Sequence, residues 1–187
     1  MTYHEIIKKI IMLGDGGVGK TSLVRRYVVD QFDDEYIVTL GAKPTAKDVK
    51  YITKKGNIVN MRFIIWDILG QKDYEEVHKG LFSDVDGGIL VFDIKRKETF
   101  DSLTTYWYPL FIKYSKNMPV VLLANKGDLI DKGDVSFNIE NLIELSKKLS
   151  DISKSPVPYY IVSAKNGSNV ENGFYAIGEL LIEKMSL

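Results

Sequence analysis

The stretch GDGGVGKTS, from Gly14 to Ser22, constrains the fold of this chain more than any other feature. It satisfies the pattern GxxxxGK[ST], directly after an apolar run and directly before the helical sequence LVRRYVV. Glycines let the backbone turn its N–H groups towards phosphate oxygens, and the helix that follows presents the positive end of its dipole to the same anion. The stretch therefore predicts a strand, a phosphate-binding loop and a helix, in this order.

Two side chains at the end of this phosphate loop add a charge and a hydroxyl group. Lys20 is expected to place its ammonium on the outer phosphates, and Thr21 is expected to offer its hydroxyl to Mg²⁺. Such a loop indicates that a nucleoside triphosphate is bound, but it does not choose the base.

Short apolar runs alternate with helical patterns along the whole chain. The runs cover residues 6–13, 61–66, 87–94, 119–125 and 158–163, and they are typical of strands buried on both faces in a parallel sheet. Two strand-like runs also flank Gly56 and Asn57, which predicts a hairpin and one antiparallel edge strand. We expect a single three-layer α/β domain over residues 1–187, with its ligand at the carboxyl ends of the strands.

Three apolar stripes with spacings of three and four residues predict helices that face the core. Their members are Phe100, Leu103, Trp107, Leu110 and Tyr114; Leu142, Leu145 and Leu149; and Val170, Phe174, Ile177 and Leu181. Pro109 lies inside the first stripe and is expected to kink or restart that helix, because proline has no backbone N–H to donate.

The base is predicted by NKGD, from Asn125 to Asp128, at the end of an apolar run. The Asp128 carboxylate can accept hydrogen bonds from guanine N1–H and N2–H₂, a donor pair that adenine lacks, and the Lys126 stem can cover a ring face. NKxD alone is weak support, but here it follows a phosphate loop and precedes SAK, from Ser163 to Lys165, at the end of the next run. Together these stretches favour guanine.

With these motifs in this order, the chain resembles a small GTPase of the Ras superfamily, closest to the Rab and Ras branches. The resemblance implies a P-loop NTPase G domain with five helices and a six-stranded, mostly parallel sheet that has one antiparallel edge strand. It also implies GDP and GTP binding, Mg²⁺, and a cycle run by exchange factors, GTPase-activating proteins and effectors.

The resemblance further assigns roles to residues that match the family pattern. Those expected to bind the nucleotide are Gly16, Gly17, Val18, Gly19, Lys20, Thr21, Ser22, Phe32, Tyr36, Thr39, Gly70, Asn125, Lys126, Asp128, Ser163, Ala164 and Lys165. Phe32 would pack on guanine, Asn125 would brace the base and phosphate loops, and the Ala164 N–H would reach the base oxygen. Thr21, Thr39 and Asp67 would serve Mg²⁺, while Gln71, Lys20, Thr39 and Gly70 would support hydrolysis.

The stretch WDILGQK, from Trp66 to Lys72, keeps the acidic residue, the glycine and the glutamine of the second switch. Ile68 and Leu69, however, replace the Thr-Ala of Ras and Rab proteins. Leu69 either turns into an apolar pocket and leaves Gln71 in place, which we favour, or crowds the closed state and favours GDP. The switches are expected at about residues 31–43 and about 67–80. No arginine lies between Phe32 and Thr39, so intrinsic hydrolysis should be slow.

Two other functions compete with a hydrolysing switch. The first is a GTP-binding scaffold or signalling module with negligible hydrolysis, and the second is an ATP-dependent P-loop kinase or transport ATPase. The motifs NKGD and SAK oppose the second.

Composition excludes several other classes of protein. The 25 basic and 25 acidic residues balance, so no broad positive field is available for nucleic acid, and the chain has no cysteine for a disulfide, a thiolate site or a prenyl anchor. No apolar run is long enough to span a membrane. We therefore expect a cytoplasmic monomer that contacts membranes only through a partner or through a tail missing after LLIEKMSL.

Overall fold

A computed structural model of the chain describes residues 2–32, 41–70, 79–115, 118–132 and 138–186. Its centre is one six-stranded sheet with the strand order β2-β3-β1-β4-β5-β6. The strands are β1 (Tyr3–Leu13), β2 (Ala42–Ile52), β3 (Ile58–Ile68), β4 (Gly87–Asp93), β5 (Val120–Asn125) and β6 (Tyr159–Ile161). Only the β2–β3 pair is antiparallel among the strand pairs of the described residues.

The antiparallel pair is the predicted hairpin, and its turn contains the predicted glycine. Gly56 has a φ of 77°, a conformation that suits glycine, and its N–H donates to the Thr53 carbonyl over 2.8 Å. The Thr53 N–H in turn donates to the Asn57 carbonyl over 2.9 Å. The hairpin places β2 at one edge of the sheet and confirms the expectation of a single antiparallel edge strand.

Five α-helices lie wholly within the described residues, and residues 79–81 are also helical. The helices are α1 (Lys20–Val29), α2 (Lys97–Ser102), α3 (Tyr108–Ser115), α4 (Ile139–Ser153) and α5 (Val170–Lys184). A 3₁₀ turn (Gly127–Lys132) follows β5. These helices and the sheet confirm the predicted α/β fold class.

A π-helical turn (Leu103–Trp107) joins α2 to α3, just before Pro109. The Tyr108 N–H donates to the Leu103 carbonyl, five residues back, which is the π-helical spacing. Proline cannot donate to the preceding turn, so the helix accommodates it by widening and then restarting. The expectation that Pro109 would kink or restart the helix is confirmed as a change of helix type just before the proline.

The sheet is covered on both faces, which gives the three layers. One face packs with α1 and α5 around Leu23, Met61, Phe63, Val121 and Phe174. The opposite face packs with the α2–α3 stretch and α4 around Leu13, Phe92, Trp107, Phe111 and Leu142. The predicted stripe residues of α4 and α5 are all buried.

The strand ends determine where the candidate site lies. β1 ends at Leu13, directly before the phosphate loop, β3 ends just after Asp67, and β5 ends at Asn125. Because these strands are parallel, their carboxyl ends meet at one edge of the sheet. Within the described part of the chain, no helix is long and apolar enough to cross a membrane.

Candidate nucleotide-binding site

Three glycines of the phosphate loop have positive φ angles: 145° at Gly14, 73° at Gly17 and 97° at Gly19. At two of them, close packing also excludes a side chain. A Cβ atom on Gly14 would collide with the Val91 carbonyl oxygen, and one on Gly19 would collide with Asn125 Nδ2. The loop can therefore adopt this path against β4 and β5 only with glycine at these positions.

The Lys20 ammonium lies inside the phosphate loop. Its Nζ donates to the carbonyl oxygens of Gly14 over 2.7 Å and of Asp15 over 3.1 Å, and the residue is only 6 % exposed. Burial lowers the pKa of this ammonium from 10.5 to about 8, although the carboxylates of Asp67 and Asp15 oppose the shift. A bound polyphosphate would add negative charge at this point and so favour the protonated lysine.

A pH-dependent proton uptake should follow from this burial. In the nucleotide-free protein Lys20 becomes largely neutral above its pKa of about 8, whereas it is charged below that value. GDP binding on the alkaline side should therefore take up a proton, and GDP affinity should fall as the pH rises, by up to about tenfold per pH unit.

Calorimetric titration with GDP measures the proton uptake. It is done in two buffers of different ionisation enthalpy, at one pH below and one pH above the Lys20 pKa of about 8. Lys20→Arg is the control, because a guanidinium stays protonated in this range. Equal proton uptake by the wild type and this variant on the alkaline side would contradict the expectation.

Thr21 and Asp67 meet at the start of α1. The Thr21 hydroxyl donates to Asp67 Oδ2 over 2.5 Å, and Asp67 is 3 % exposed. Hydroxyl and carboxylate oxygens are the hard donors that Mg²⁺ prefers, and Mg²⁺ next to a nucleotide typically takes only one or two protein ligands beside phosphates and water. No group of three or more His, Asp or Glu residues suited to a metal occurs among the described residues. This pair thus fits a Mg²⁺ ion held jointly with phosphates.

Gly70 lies directly against the phosphate loop. A Cβ atom on this glycine would lie 2.5 Å from Lys20 Nζ and 2.6 Å from both Asp15 C and Gly16 N. The backbone of the predicted second switch is thereby brought to the loop that would hold the phosphates. The other predicted switch residues, Tyr36, Thr39 and Gln71, lie outside the described residues.

Ile68 and Leu69, which depart from the family pattern, differ in their surroundings. Ile68 is fully buried in the core cluster that contains Leu13 and Phe92. Leu69 is half-buried, and its N–H donates to the Gly41 carbonyl over 2.9 Å. The apolar replacement at Ile68 therefore contributes to the core.

Asn125 joins the phosphate loop to the SAK stretch. Its Nδ2 donates to the Val18 carbonyl over 2.8 Å, and its Oδ1 accepts the Ala164 N–H over 3.1 Å. Asn125 is 2 % exposed, so both hydrogen bonds are shielded from water. The Ala164 N–H, predicted to reach the base oxygen, is directed to Asn125 here.

The remaining base-side residues form a small polar cluster. The Ser163 hydroxyl donates to Asp128 Oδ1 over 2.6 Å, which holds the carboxylate in place. Lys126 has a φ of 71°, and its Nζ donates to Asp93 Oδ2 over 2.6 Å. Lys165 is exposed, and Phe32 is half-buried against the core cluster on the α1 side.

Asp93 and Arg96 were not predicted from the sequence. Asp93 is 2 % exposed; although burial opposes it, hydrogen bonds from Lys126, the Lys95 N–H and Arg96 hold the pKa of this carboxyl below its usual value. Arg96 Nη2 donates to the Gly16 carbonyl over 2.9 Å. One buried carboxylate thus holds two cations: Lys126 in the base loop, and Arg96, which lies before α2 and contacts the phosphate loop.

Arg26 on α1 is a third residue that sequence reasoning missed. Its Nε donates to the Ala164 carbonyl over 2.9 Å, and its Nη2 donates to the Lys165 carbonyl over 2.8 Å. The helix that begins in the phosphate loop is therefore tied to the SAK stretch. The only sequence signal was a basic residue in the helix that follows the loop.

Comparison with known proteins finds similarity to Ras-related and GTP-binding proteins along most of the chain. Residues 9–183 match the model of the Ras family. The chain is 35 % identical to a Ras-related protein Rab7 of Cenchrus ciliaris, over 93 % of this chain and 82 % of that protein. It is 37 % identical to the GTP-binding protein yptV5 of Volvox carteri (94 % and 82 % covered), and 30 % identical to the Ras-related protein Rab-27B of Rattus norvegicus (97 % and 83 % covered).

Proposed function

This chain belongs to the Ras family, whose Ras- and Rab-related members are GTPases, and from that premise we propose that it is a switch that binds GDP or GTP with Mg²⁺ and slowly hydrolyses GTP. We further propose that residues 1–187 act as one G domain and a monomer, with switches at about residues 31–43 and 67–80. GTP would change the conformation of both switches and so control effector binding. Exchange factors and GTPase-activating proteins would drive the cycle.

One observation supports this proposal most directly: Asn125 bridges a loop suited to phosphate and a loop suited to guanine. The two hydrogen bonds of its amide fix the distance between the two loops, and Arg26 makes a second tie between the same parts of the molecule. A ligand with a polyphosphate at one end and a base at the other matches this arrangement. Asp128, held by Ser163, offers the acceptor pair that selects guanine.

Hydrolysis requires that water attack the γ-phosphorus while the bond to the β–γ bridging oxygen breaks, which yields GDP and inorganic phosphate. In this proposal Gln71 orients the water, the Gly70 N–H supports a γ-phosphate oxygen, and the Lys20 ammonium neutralises charge on the outer phosphates. Mg²⁺, held by Thr21, Thr39 and Asp67, would supply further charge neutralisation. These residues contribute position and charge rather than covalent chemistry.

Slow hydrolysis that depends on Gln71 is the expected result for the purified protein. The wild type should turn over Mg·GTP in single-turnover assays well below the ~10⁻² s⁻¹ typical of a GTPase with its arginine in cis. Gln71→Leu should reduce this rate about tenfold or more, because the water loses its orienting group. Leu69→Ala should leave the rate within about threefold if Leu69 packs away from the phosphates.

Each outcome of this assay has a distinct meaning. An unchanged rate in Gln71→Leu would remove the catalytic assignment, and a large gain in Leu69→Ala would show that crowding limits the native protein. Persistent GTP on the purified wild type, with no measurable turnover, would instead support a scaffold that holds its nucleotide.

A further inference from the structure

Asp15, the second residue of the phosphate loop, is held by two side chains from the opposite layer. Its Oδ2 accepts the Ser102 hydroxyl over 2.7 Å, and its Oδ1 accepts the Trp107 indole N–H over 2.7 Å. Ser102 is 4 % exposed and Trp107 is fully buried. We refer to Asp15, Ser102 and Trp107 as the Asp15 clamp.

The helix restart explains how both donors reach one carboxylate. Ser102 ends α2, and Trp107 ends the π-helical turn, five positions further along the chain. A π turn widens the helix and changes the direction of the side chains within it, which is why such turns are frequent at functional sites. The π-helical turn before Pro109 therefore does two things: it accommodates the proline, and it lets two side chains contact the phosphate loop.

The peptide next to the clamped carboxylate is the one on which Gly70 lies. Asp15 C and Gly16 N are the backbone atoms closest to a Cβ placed on Gly70, each at 2.6 Å. The Asp15 carbonyl also accepts a hydrogen bond from Lys20 Nζ. A shift of this peptide would therefore displace the contact between the second switch and the loop, together with one partner of the lysine.

We propose that Ser102 and Trp107 are positioning residues for GTP hydrolysis. They hold the Asp15 carboxylate and, through it, the Asp15–Gly16 peptide on which Gly70 lies. This inference rests on the proposed function and goes beyond it, because it assigns a role to the α2–α3 stretch. GDP has no γ-phosphate, so it would not accept the hydrogen bond that the Gly70 N–H is proposed to give to GTP. Loss of the clamp should therefore slow hydrolysis far more than it speeds GDP dissociation.

Trp107→Phe removes the indole N–H but keeps an aromatic ring in the core, and Ser102→Ala is a milder second variant. We expect each to lower the single-turnover rate of Mg·GTP hydrolysis, by about tenfold for Trp107→Phe, with GDP dissociation changed less than about threefold. Ser115→Ala is the matched control, since this serine is 4 % exposed in α3 and donates to the Phe111 carbonyl. It should retain the wild-type rates.

A double-mutant cycle separates positioning from general loosening of the core. If Trp107 acts through Asp15, the combination of Asp15→Asn and Trp107→Phe should be little worse than either single change. Additive effects, equal changes in GDP dissociation and hydrolysis, or unchanged hydrolysis in both Trp107→Phe and Ser102→Ala would each overturn the proposal.

Fluorescence tests the contact independently of nucleotide. The chain has two tryptophans, so Trp66→Phe leaves Trp107 as the only tryptophan, which is excited at a wavelength that tyrosine does not absorb. In that background Asp15→Asn should shift the Trp107 emission, whereas the exposed control Asp48→Asn should not. A shift together with unchanged hydrolysis would overturn the clamp's role alone, whereas a wild-type protein that binds no guanine nucleotide would overturn both proposals.

Discussion

Asp128→Asn should lower the affinity for GDP by about a thousandfold. The carboxylate is expected to accept two hydrogen bonds from guanine, each worth ~1.5–3 kcal/mol when the acceptor is charged. An Asn side chain offers one acceptor and one donor, and the donor would face the guanine N2–H₂ group. Xanthine has a carbonyl oxygen at that position, so the variant should prefer xanthosine diphosphate to GDP.

Competition binding of GDP, xanthosine diphosphate and ADP to the wild type and the variant measures this change. Ser163 holds Oδ1 by a hydrogen bond over 2.6 Å, and the amide oxygen of Asn can accept the same bond, so the loop should keep its shape. Asp48→Asn is the control, because Asp48 pairs with Arg62 on the sheet, away from the site. Equal affinities of the wild type for GDP and ADP would contradict the guanine assignment.

Gly70→Ala should reduce GTP hydrolysis by about a hundredfold and leave GDP affinity nearly unchanged. The added methyl group would lie 2.6 Å from two backbone atoms of the phosphate loop, so one of the two segments must move. A displacement of about 1 Å at a site that works by positioning can cost ~10² in rate.

Single-turnover hydrolysis and GDP dissociation, measured side by side, test this expectation. Ser115→Ala is the control, because this serine lies outside both switches, is 4 % exposed in α3 and donates to the Phe111 carbonyl. Hydrolysis by Gly70→Ala within twofold of the wild type would show that the contact between Gly70 and the loop is not part of the active arrangement.

Local patterns predicted most of the fold because they report on neighbours in the chain. The apolar runs, the hairpin at Gly56 and the helix restart at Pro109 each depend on a few adjacent residues, and each is found in the structure. The phosphate loop was recognisable for the same reason, since the glycines, Lys20 and Thr21 lie within one short stretch.

The supporting residues of the site could not be predicted in the same way. Arg26 contacts carbonyl groups 138 and 139 residues away, and Trp107 contacts a carboxylate 92 residues away. In the sequence, Arg26 is one basic residue in a helix and Trp107 one member of an apolar stripe. Neither pattern tells a core residue from one that also holds a loop of the site.

The sequence by itself determined the fold class, the order of the strands and helices along the chain, and the two motifs that favour phosphate and guanine. These features depend on residue types at short spacings. The tertiary structure decided which distant side chains secure those motifs. It placed Asn125 between two loops, brought two cations to the Asp93 carboxylate, and brought Asp15 into hydrogen-bonding contact with a residue of the π-helical turn. These contacts depend on the order of the strands in the sheet and on helix packing, which bring together segments that are far apart in the sequence.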